Sequence, residues 1–229
     1  MKTKLILTAV LTLLLCVYGI SQTSAPAQTT TPAKTAVKQK ALYEKKYTNA
    51  DYYTNGKFNQ EVALKAVLDM FAFYGVEYTD FMKKNMFVSD FNLGDFENIG
   101  MAGIFWVNDA EHNMFGHEIY LLPNQMIAEH AHVATTYPAK HETGLVRYGS
   151  GYNFSIGEPT LNAPKLPASQ KDFITLKHFE PKKVGDMVLL SKIESKHFLF
   201  AGDNGLIVTE FGTYHDNAGL RFTNPKVKF

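Results

Sequence analysis

Two histidines, His130 and His132, lie two residues apart near the end of a segment whose composition is typical of a β-strand. Alternate residues of a strand project from the same face, so both imidazoles can reach one point. Glu142 follows ten residues after His132, beyond a turn indicated by Pro138, and the next strand can return its carboxylate to the pair. Imidazole and carboxylate groups are ligands that suit divalent transition metals.

A third histidine, His197, opens a later predicted strand and can supply a fourth ligand from across a barrel. Three imidazoles and one carboxylate suit a divalent transition metal, and an octahedral ion held by four protein groups keeps two adjacent positions for a bidentate substrate. By spacing alone, each residue also fits a packed or solvent-facing side chain, and that alternative stays open. The remaining histidines are treated as non-ligands: His112, His117, His141, His178 and His215.

Two helices are predicted before the strands that must position these ligands. Apolar residues recur at helical spacing over Gln60–Tyr74, with Asn59 as the N-cap and Gly75 as the stop. A shorter helix is predicted over Asp80–Asn85, behind a Thr79 cap.

After residue 87 the sequence changes to short apolar and aromatic runs separated by Gly, Pro, Asn and Asp, a pattern typical of strands. Many short strands at regular spacing predict a sandwich or a closed barrel, in which strand edges are hidden. A proline-containing surface loop is expected over residues 157–171. The predicted strands are 102–107, 117–122, 125–132, 144–148, 151–156, 173–176, 187–190, 197–201 and 206–211.

The composition fits one globular domain of ordinary size. Of 229 residues, 45% are hydrophobic, and 23 Lys and Arg are balanced by 22 Asp and Glu. This chain is apolar enough to bury a large core, which excludes a protein that is disordered throughout. No stretch of the folded region accumulates the basic patch that phosphate neutralisation needs, so a nucleic-acid partner is not expected.

The N-terminus has the pattern of a signal peptide, predicted over residues 1–21. Lys2 and Lys4 precede an apolar run over residues 5–17, and small residues such as Gly19 and Ser21 follow it. This run of thirteen residues, two of them threonine, is too short to span a bilayer core of roughly 30 Å at 1.5 Å per residue. We therefore expect export to the periplasm or secretion, with no membrane partner for the mature form unless it is lipidated.

Cys16, the only cysteine, leaves lipidation open as an alternative, although the preceding Leu15 is not the small residue that lipoprotein processing needs. Removal of the leader also removes this cysteine, so the mature chain would have no disulfide and no thiol nucleophile. Residues 22–41 are rich in Thr, Ala, Pro, Lys and Gln, which predicts a disordered linker before a single domain over residues 42–229.

The segment over residues 120–149 resembles the first metal motif of the cupins, in which His-x-His is followed by Glu and, after six more residues, by Gly. His130, His132, Glu142 and Gly149 fit this pattern, with a longer spacer before the glutamate than the ordinary motif has. The resemblance implies a mainly β fold, a cupin double-stranded β-helix (jelly-roll) barrel with N-terminal helices packed outside it.

The second cupin motif is degenerate in this chain. Lys192 and Glu194 stand where the motif has Pro and Gly, and only His197 matches it. The resemblance implies that His197 completes the ligand set.

Within the cupins, four segments resemble the D-lyxose/D-mannose family of sugar isomerases. The resemblance implies a metal-dependent aldose–ketose isomerisation of a monosaccharide, with Mn²⁺ as the first choice of ion and Fe²⁺, Co²⁺, Ni²⁺ and Zn²⁺ as alternatives. Pairing of cupin sheets into a homodimer is also expected. The four segments are PNQMIAEHAH, the KHE around Lys140, KHFLFAGDNGLIVTEF and YHDNAGLRFTNP.

Three further residues then receive roles. Glu210 is the expected base, which takes a proton from C2 and returns it to C1 through a cis-enediol. Lys140 points to the same face as Glu142 if the strand is regular, and its ammonium can hold a hydroxyl or the enediolate oxygen. Arg221 is expected to bind a substrate hydroxyl or to keep Glu210 ionised. The alternatives are an exposed Lys140, an edge-strand Glu210 and a surface ion pair for Arg221, and His215 and Asp216 receive no firm role.

Other functions remain open at this point. A cupin with three histidines and one glutamate can also be a dioxygenase or a uronate-processing lyase. A periplasmic carbohydrate-binding protein, in which the metal only orients the ligand, belongs to a different class. A carboxylate base and a cation near the ion would favour the isomerase, whereas an apolar pocket would favour an oxygenase.

Overall fold

Antiparallel strands make up most of the ordered structure in this computed structural model, which describes residues 43–229. The predicted signal peptide and linker, over residues 1–41, lie outside the described residues. The helices are α1 (Asn49–Tyr52), α2 (Gln60–Tyr74) and α3 (Asp80–Asn85). The strands are β1 (Tyr53–Thr54), β2 (Lys57–Phe58), β3 (Phe87–Ser89), β4 (Met101–Asp109), β5 (Met114–Leu121), β6 (His130–His132), β7 (Glu142–Ser155), β8 (His178–Lys183), β9 (Met187–Leu189), β10 (Phe198–Gly212) and β11 (Leu220–Phe222).

One large sheet and one small sheet enclose the site. The large sheet has the order β3-β4-β5-β10-β7-β8, and β9 adds to β7. The small sheet pairs β6 with β11. The two sheets meet where the backbones of His130 and His197 exchange hydrogen bonds of 3.2 and 2.8 Å. The start of β10 is thereby fixed beside β6.

Two hydrophobic cores lie on opposite faces of the large sheet. Along β10, Val208 packs inside the barrel, and its neighbour Ile207 packs against the helices. Along β5, Ile119 and Tyr120 divide in the same way, because successive strand residues project to opposite faces. The helices therefore cover the outer face of the barrel, as the sequence predicted.

Both predicted helices are present with their predicted ends. The Asn59 side chain accepts a hydrogen bond from the Val62 backbone N–H, and Gly75 follows the helix in the left-handed conformation at φ 71°. Thr79 caps α3 through the Met82 backbone N–H. Both capping contacts satisfy N–H groups that a helix leaves unpaired at its start.

The predicted strands 144–148 and 151–156 are one continuous strand, β7. Gly149 lies inside it at φ 75°, and a Cβ there would be 2.0 Å from the Gly205 backbone oxygen. This close approach marks an irregularity at which the register with β10 shifts. Strands 197–201 and 206–211 likewise merge into β10.

One strand prediction is wrong for most of its length, and another is wrong throughout. Only His130–His132 forms a strand within residues 125–132, and residues 173–176 form none. In the second segment, the backbone N–H groups of Thr175 and Leu176 donate to the buried Glu129 carboxylate instead of to a neighbouring strand. The strands β1, β2, β3, β8 and β11 were not predicted.

Within residues 43–229, no helix is both long enough and apolar enough to cross a membrane.

Candidate metal centre

Four side chains from separate parts of the chain converge inside the barrel. His130 and His132 both lie on β6, Glu142 begins β7, and His197 immediately precedes β10. One potential ligand atom from each lies within 4.8 Å of all the others. The structure therefore brings together the four residues selected from the sequence.

Backbone carbonyls fix the orientation of two of the imidazoles. The Nδ1 of His130 donates to the Ala128 carbonyl at 2.9 Å, and the Nδ1 of His197 donates to the Ser195 carbonyl at 3.1 Å. When Nδ1 carries the proton, Nε2 of the neutral ring presents its lone pair. This carbonyl–histidine arrangement is the usual support of a metal-binding imidazole.

The Glu142 carboxylate occupies the middle of the cluster. Its Oε1 lies 2.7 Å from His197 Nε2, and its Oε2 lies 3.4 Å from His132 Nε2. Burial would raise the pKa of Glu142, but Lys140 and His197 hold it well below its usual value. Glu142 is therefore an ionised ligand at neutral pH.

The imidazoles of His130 and His132 are neutral at the same pH. Burial lowers the pKa of His130 to about 3 and that of His132 well below its usual value. His197 differs, because the charge of Glu142 outweighs the effect of burial and raises its pKa. A cation that occupied the cluster would compete with this proton, since a metal ligand must be unprotonated.

The donor set fits a divalent transition metal. His197 Nε2 and Glu142 Oε2 are fully buried, and their nearest partners are Glu142 Oε1 at 2.7 Å and the Lys140 ammonium at 2.5 Å. The ligand atoms are therefore shielded from water and held close together by charge. Three imidazoles and one ionised carboxylate favour such a metal, whereas Mg²⁺ and Ca²⁺ prefer oxygen ligands.

Lys140 and Glu210 adjoin this centre. The Lys140 ammonium lies 2.5 Å from Glu142 Oε2, forms an ion pair with Glu210, and sits 4.0 Å from the centre of the Phe115 ring. Burial alone would lower the pKa of Lys140, but the two carboxylates raise it, so the ammonium stays charged. Lys140 is 4% exposed, which excludes the alternative of a surface lysine.

Glu210 has the electrostatic environment of a general base. Burial and the charge of Glu142 raise its pKa to about 7, against the opposing effect of Lys140. A base is most effective when its pKa lies near the pH at which it works.

Arg221 is not brought to the site. Along β11, Leu220 and Phe222 line the cavity, and Arg221 between them projects to the exposed face. Its Nη1 donates to the backbone carbonyls of Ala218 and Leu220, both at 2.8 Å. The structure therefore corrects the prediction that Arg221 binds substrate or neutralises Glu210. Lys140 is the cation beside Glu210.

Two cavity residues were missed from the sequence as site residues, His117 and His215. Both are buried and line the cavity that contains the four ligands. His117 lies directly opposite Glu210 in the pairing of β5 with β10. The inward alternation of β5 could have indicated His117, whereas His215 follows β10 in an irregular segment and carries no such signal.

Comparisons with known proteins show the family of this chain. No family model matches the chain. The D-lyxose/D-mannose isomerase of Thermosediminibacter oceani is 33% identical over 148 residues, which are 64% of this chain and 80% of that protein. The chain belongs to the D-lyxose/D-mannose isomerase family. A second family member, the D-lyxose ketol-isomerase of Thermofilum sp., is 30% identical over 67% of this chain and 84% of its own length.

A solved structure confirms the fold class. The L-ribose isomerase of Acinetobacter sp. DL28, in complex with L-ribose, aligns with a TM-score of 0.55 over 81% of this chain and 96% of that chain. At 13% identity the likeness shows the fold alone. The fold is the mainly β barrel with helices packed on its outer face that the sequence predicted.

Replacing one ligand tests the metal centre. We expect the purified protein to carry about one equivalent of a divalent transition metal and His130→Ala to lose most of it, because three ligands remain of four. Elemental analysis by mass spectrometry measures both. His112→Ala, in an exposed turn, is the control and should keep the metal. Full metal content in His130→Ala would remove the site from this cluster.

Proposed function

We propose that this family member is a metal-dependent isomerase that interconverts D-lyxose and D-xylulose or D-mannose and D-fructose. The observation that carries the proposal is the position of Lys140 and Glu210, a charged ammonium and a tuned carboxylate, in the cavity of the ligand cluster. A dioxygenase would need neither group, and a binding protein would need no base with a pKa near 7.

The difficult step is the removal of a proton from carbon. A C–H bond beside a carbonyl is a weak acid, so the enzyme must stabilise the enediolate while a nearby base takes the proton. His130, His132, Glu142 and His197 would hold a divalent ion, which would supply Lewis acidity toward the carbonyl of the open-chain sugar.

Glu210 carries the proton between the two carbons. Its carboxylate takes the C2 proton, and the electron pair of that bond forms the C1–C2 double bond as negative charge develops on O1. The protonated Glu210 then gives the proton to C1, and the O2 proton passes to O1 as O2 becomes the ketose carbonyl. Because a single carboxylate serves both carbons, the intermediate is the cis-enediol.

Lys140 keeps this cycle electrically balanced. Its ammonium contacts Glu210 and lies 2.5 Å from Glu142. Glu210 becomes neutral when it accepts a proton. The Lys140 ammonium can then stabilise the negative charge that develops on the sugar oxygen. An ammonium in a water-excluded site stabilises such a charge far more than one in water.

The identity of the ion and the oligomeric state are further parts of the proposal. We place Mn²⁺ first among Mn²⁺, Fe²⁺, Co²⁺, Ni²⁺ and Zn²⁺, because a mixed nitrogen and oxygen donor set accommodates it. We also propose a homodimer formed through the barrel sheets, which light scattering of the purified protein tests. A monomer at working concentrations would contradict it.

A sugar screen tests the activity directly. Metal-depleted protein should be inactive, and protein restored with Mn²⁺ should convert D-lyxose or D-mannose to its ketose. Chromatography of reaction mixtures with free and phosphorylated pentoses and hexoses measures this. No conversion of any aldose by the restored protein would refute the isomerase.

Glu210→Gln tests the base. The amide cannot accept the C2 proton, so the turnover number should fall by about 100- to 10,000-fold, while the metal stays bound. Proton NMR in D₂O follows deuterium incorporation at C2. Glu118→Gln is the matched control, because Glu118 lies on the neighbouring strand and bonds Thr209 and Tyr120. Unchanged exchange in Glu210→Gln would assign the base elsewhere.

Export is proposed from the leader alone. The mature protein from its native host should begin beyond Gly19, because a signal peptidase removes the apolar run. Intact-mass measurement of the soluble protein checks the N-terminus. A soluble protein that retains Met1 would contradict export.

A further inference from the structure

Two buried histidines line the cavity without a role in the proton transfer. His117 is 5% exposed and His215 is 8% exposed. Among the described residues, His117 Nε2 and His215 Nδ1 are fully buried atoms with no hydrogen-bond partner. A buried polar atom in this state needs a functional explanation or an unseen partner, because almost all such atoms are paired.

The two rings share an aromatic wall next to the catalytic groups. The Phe105 ring centre lies 4.7 Å from that of His117 and 5.8 Å from that of His215, and Phe115 stacks on His215 at 5.4 Å. Phe115 also carries the Lys140 ammonium on its face. The His215 ring lies 5.3 Å from that of the ligand His132. The two histidines therefore lie in the same cavity as the catalytic groups and next to a metal ligand.

The surrounding structure holds both rings in place. The side-chain amide of Asn108 donates to the His215 carbonyl and accepts from its backbone N–H, both at 3.0 Å, and Asn217 Oδ1 lies 2.8 Å from His215 Nε2. With the proton on Nε2, Nδ1 of His215 is a free acceptor. His117 occupies space that a side chain at Gly103 would fill, since a Cβ there would lie 2.4 Å from its Nε2.

A neutral polyol matches this surface. Burial and the Lys140 charge lower the pKa of His117 well below its usual value, so the ring is an uncharged donor and acceptor. Lys140 is the only lysine or arginine among the described residues that line the cavity, and two carboxylates already engage it. Hydroxyl groups can pair with a neutral imidazole through either of its roles, and aromatic rings pack against the C–H faces of a sugar.

We propose that His117 and His215 form the subsite for the hydroxyl groups of the sugar that are distant from its carbonyl, and that they determine which sugar is accepted. The inference rests on the proposed function and adds specificity residues to it. A site with buried polar groups rejects an analogue that lacks the matching hydroxyl, because those groups are then left unpaired.

His117→Phe and His215→Phe test this role with Mn²⁺-loaded protein. Each variant keeps an aromatic ring but removes its nitrogens. We expect metal content and melting temperature to be unchanged or higher. The affinity for a pentitol, measured by calorimetry, should fall ~10-fold or more. The ratio kcat/KM should fall because KM rises. Each variant should also discriminate less between a pentose and its analogue without one distal hydroxyl. His117→Gln, which restores a donor and an acceptor, should regain part of the affinity, and His112→Phe is the surface control.

The outcomes separate this inference from the isomerase itself. If the wild type isomerises a sugar but both phenylalanine variants bind pentitols and discriminate as it does, the subsite is overturned and the isomerase stands. If the wild type binds pentitols, loses affinity in the variants and isomerises nothing, the subsite stands and the isomerase is overturned. Absence of both binding and isomerisation in the wild type overturns both.

Discussion

A single buried carboxylate, Glu142, is the group on which the rest of the site depends. An ionised carboxylate out of water is costly unless opposite charges and hydrogen-bond donors surround it. Here Lys140 lies at 2.5 Å, His197 at 2.7 Å and His132 at 3.4 Å from its oxygens. Lys140 and His197 favour the ionised form, as a bound divalent ion would. Loss of Glu142 would therefore leave Lys140 and the ligand histidines without their common partner.

The barrel positions the candidate metal ligands at strand ends and where its two sheets meet. The ligands come from β6, from the first residue of β7 and from the residue before β10, where the small sheet meets the large one. Glu210 and His117 face each other across the pairing of β10 with β5. The helices α2 and α3 pack on the outer face of these strands. The inner face of the same strands is therefore available for the polar groups of the site.

Local signals predicted much of this arrangement. The caps at Asn59 and Thr79 and the left-handed Gly75 identify helix ends through neighbouring residues alone. The period of two in His130-Ala131-His132 places both imidazoles on one face for the same reason. Spacing and the cupin motifs then selected Glu142 and His197, and the resemblance to sugar isomerases selected Glu210 and Lys140. The structure places all four in one cavity.

The errors arise where long-range pairing decides the outcome. Arg221 lies on a strand whose inward face is set by its register with β6, and a register shift of one residue exchanges the cavity face for the solvent face. Residues 125–129 fit a strand because the segment has an apolar centre at residues 126–128. In the structure, the backbones of Ile127 and Gln125 bond those of Leu199 and Ala201 in an irregular connection. No local pattern indicates that His215, outside any strand, returns to the wall behind His132.

Anomalous diffraction from crystals soaked in Mn²⁺ would locate the ion. We expect one strong peak inside the barrel, about 2.0 to 2.5 Å from the imidazole nitrogens of His130, His132 and His197 and from a Glu142 oxygen. A well-ordered barrel with no peak among these four side chains, or with its strongest peak at another site, would contradict this expectation.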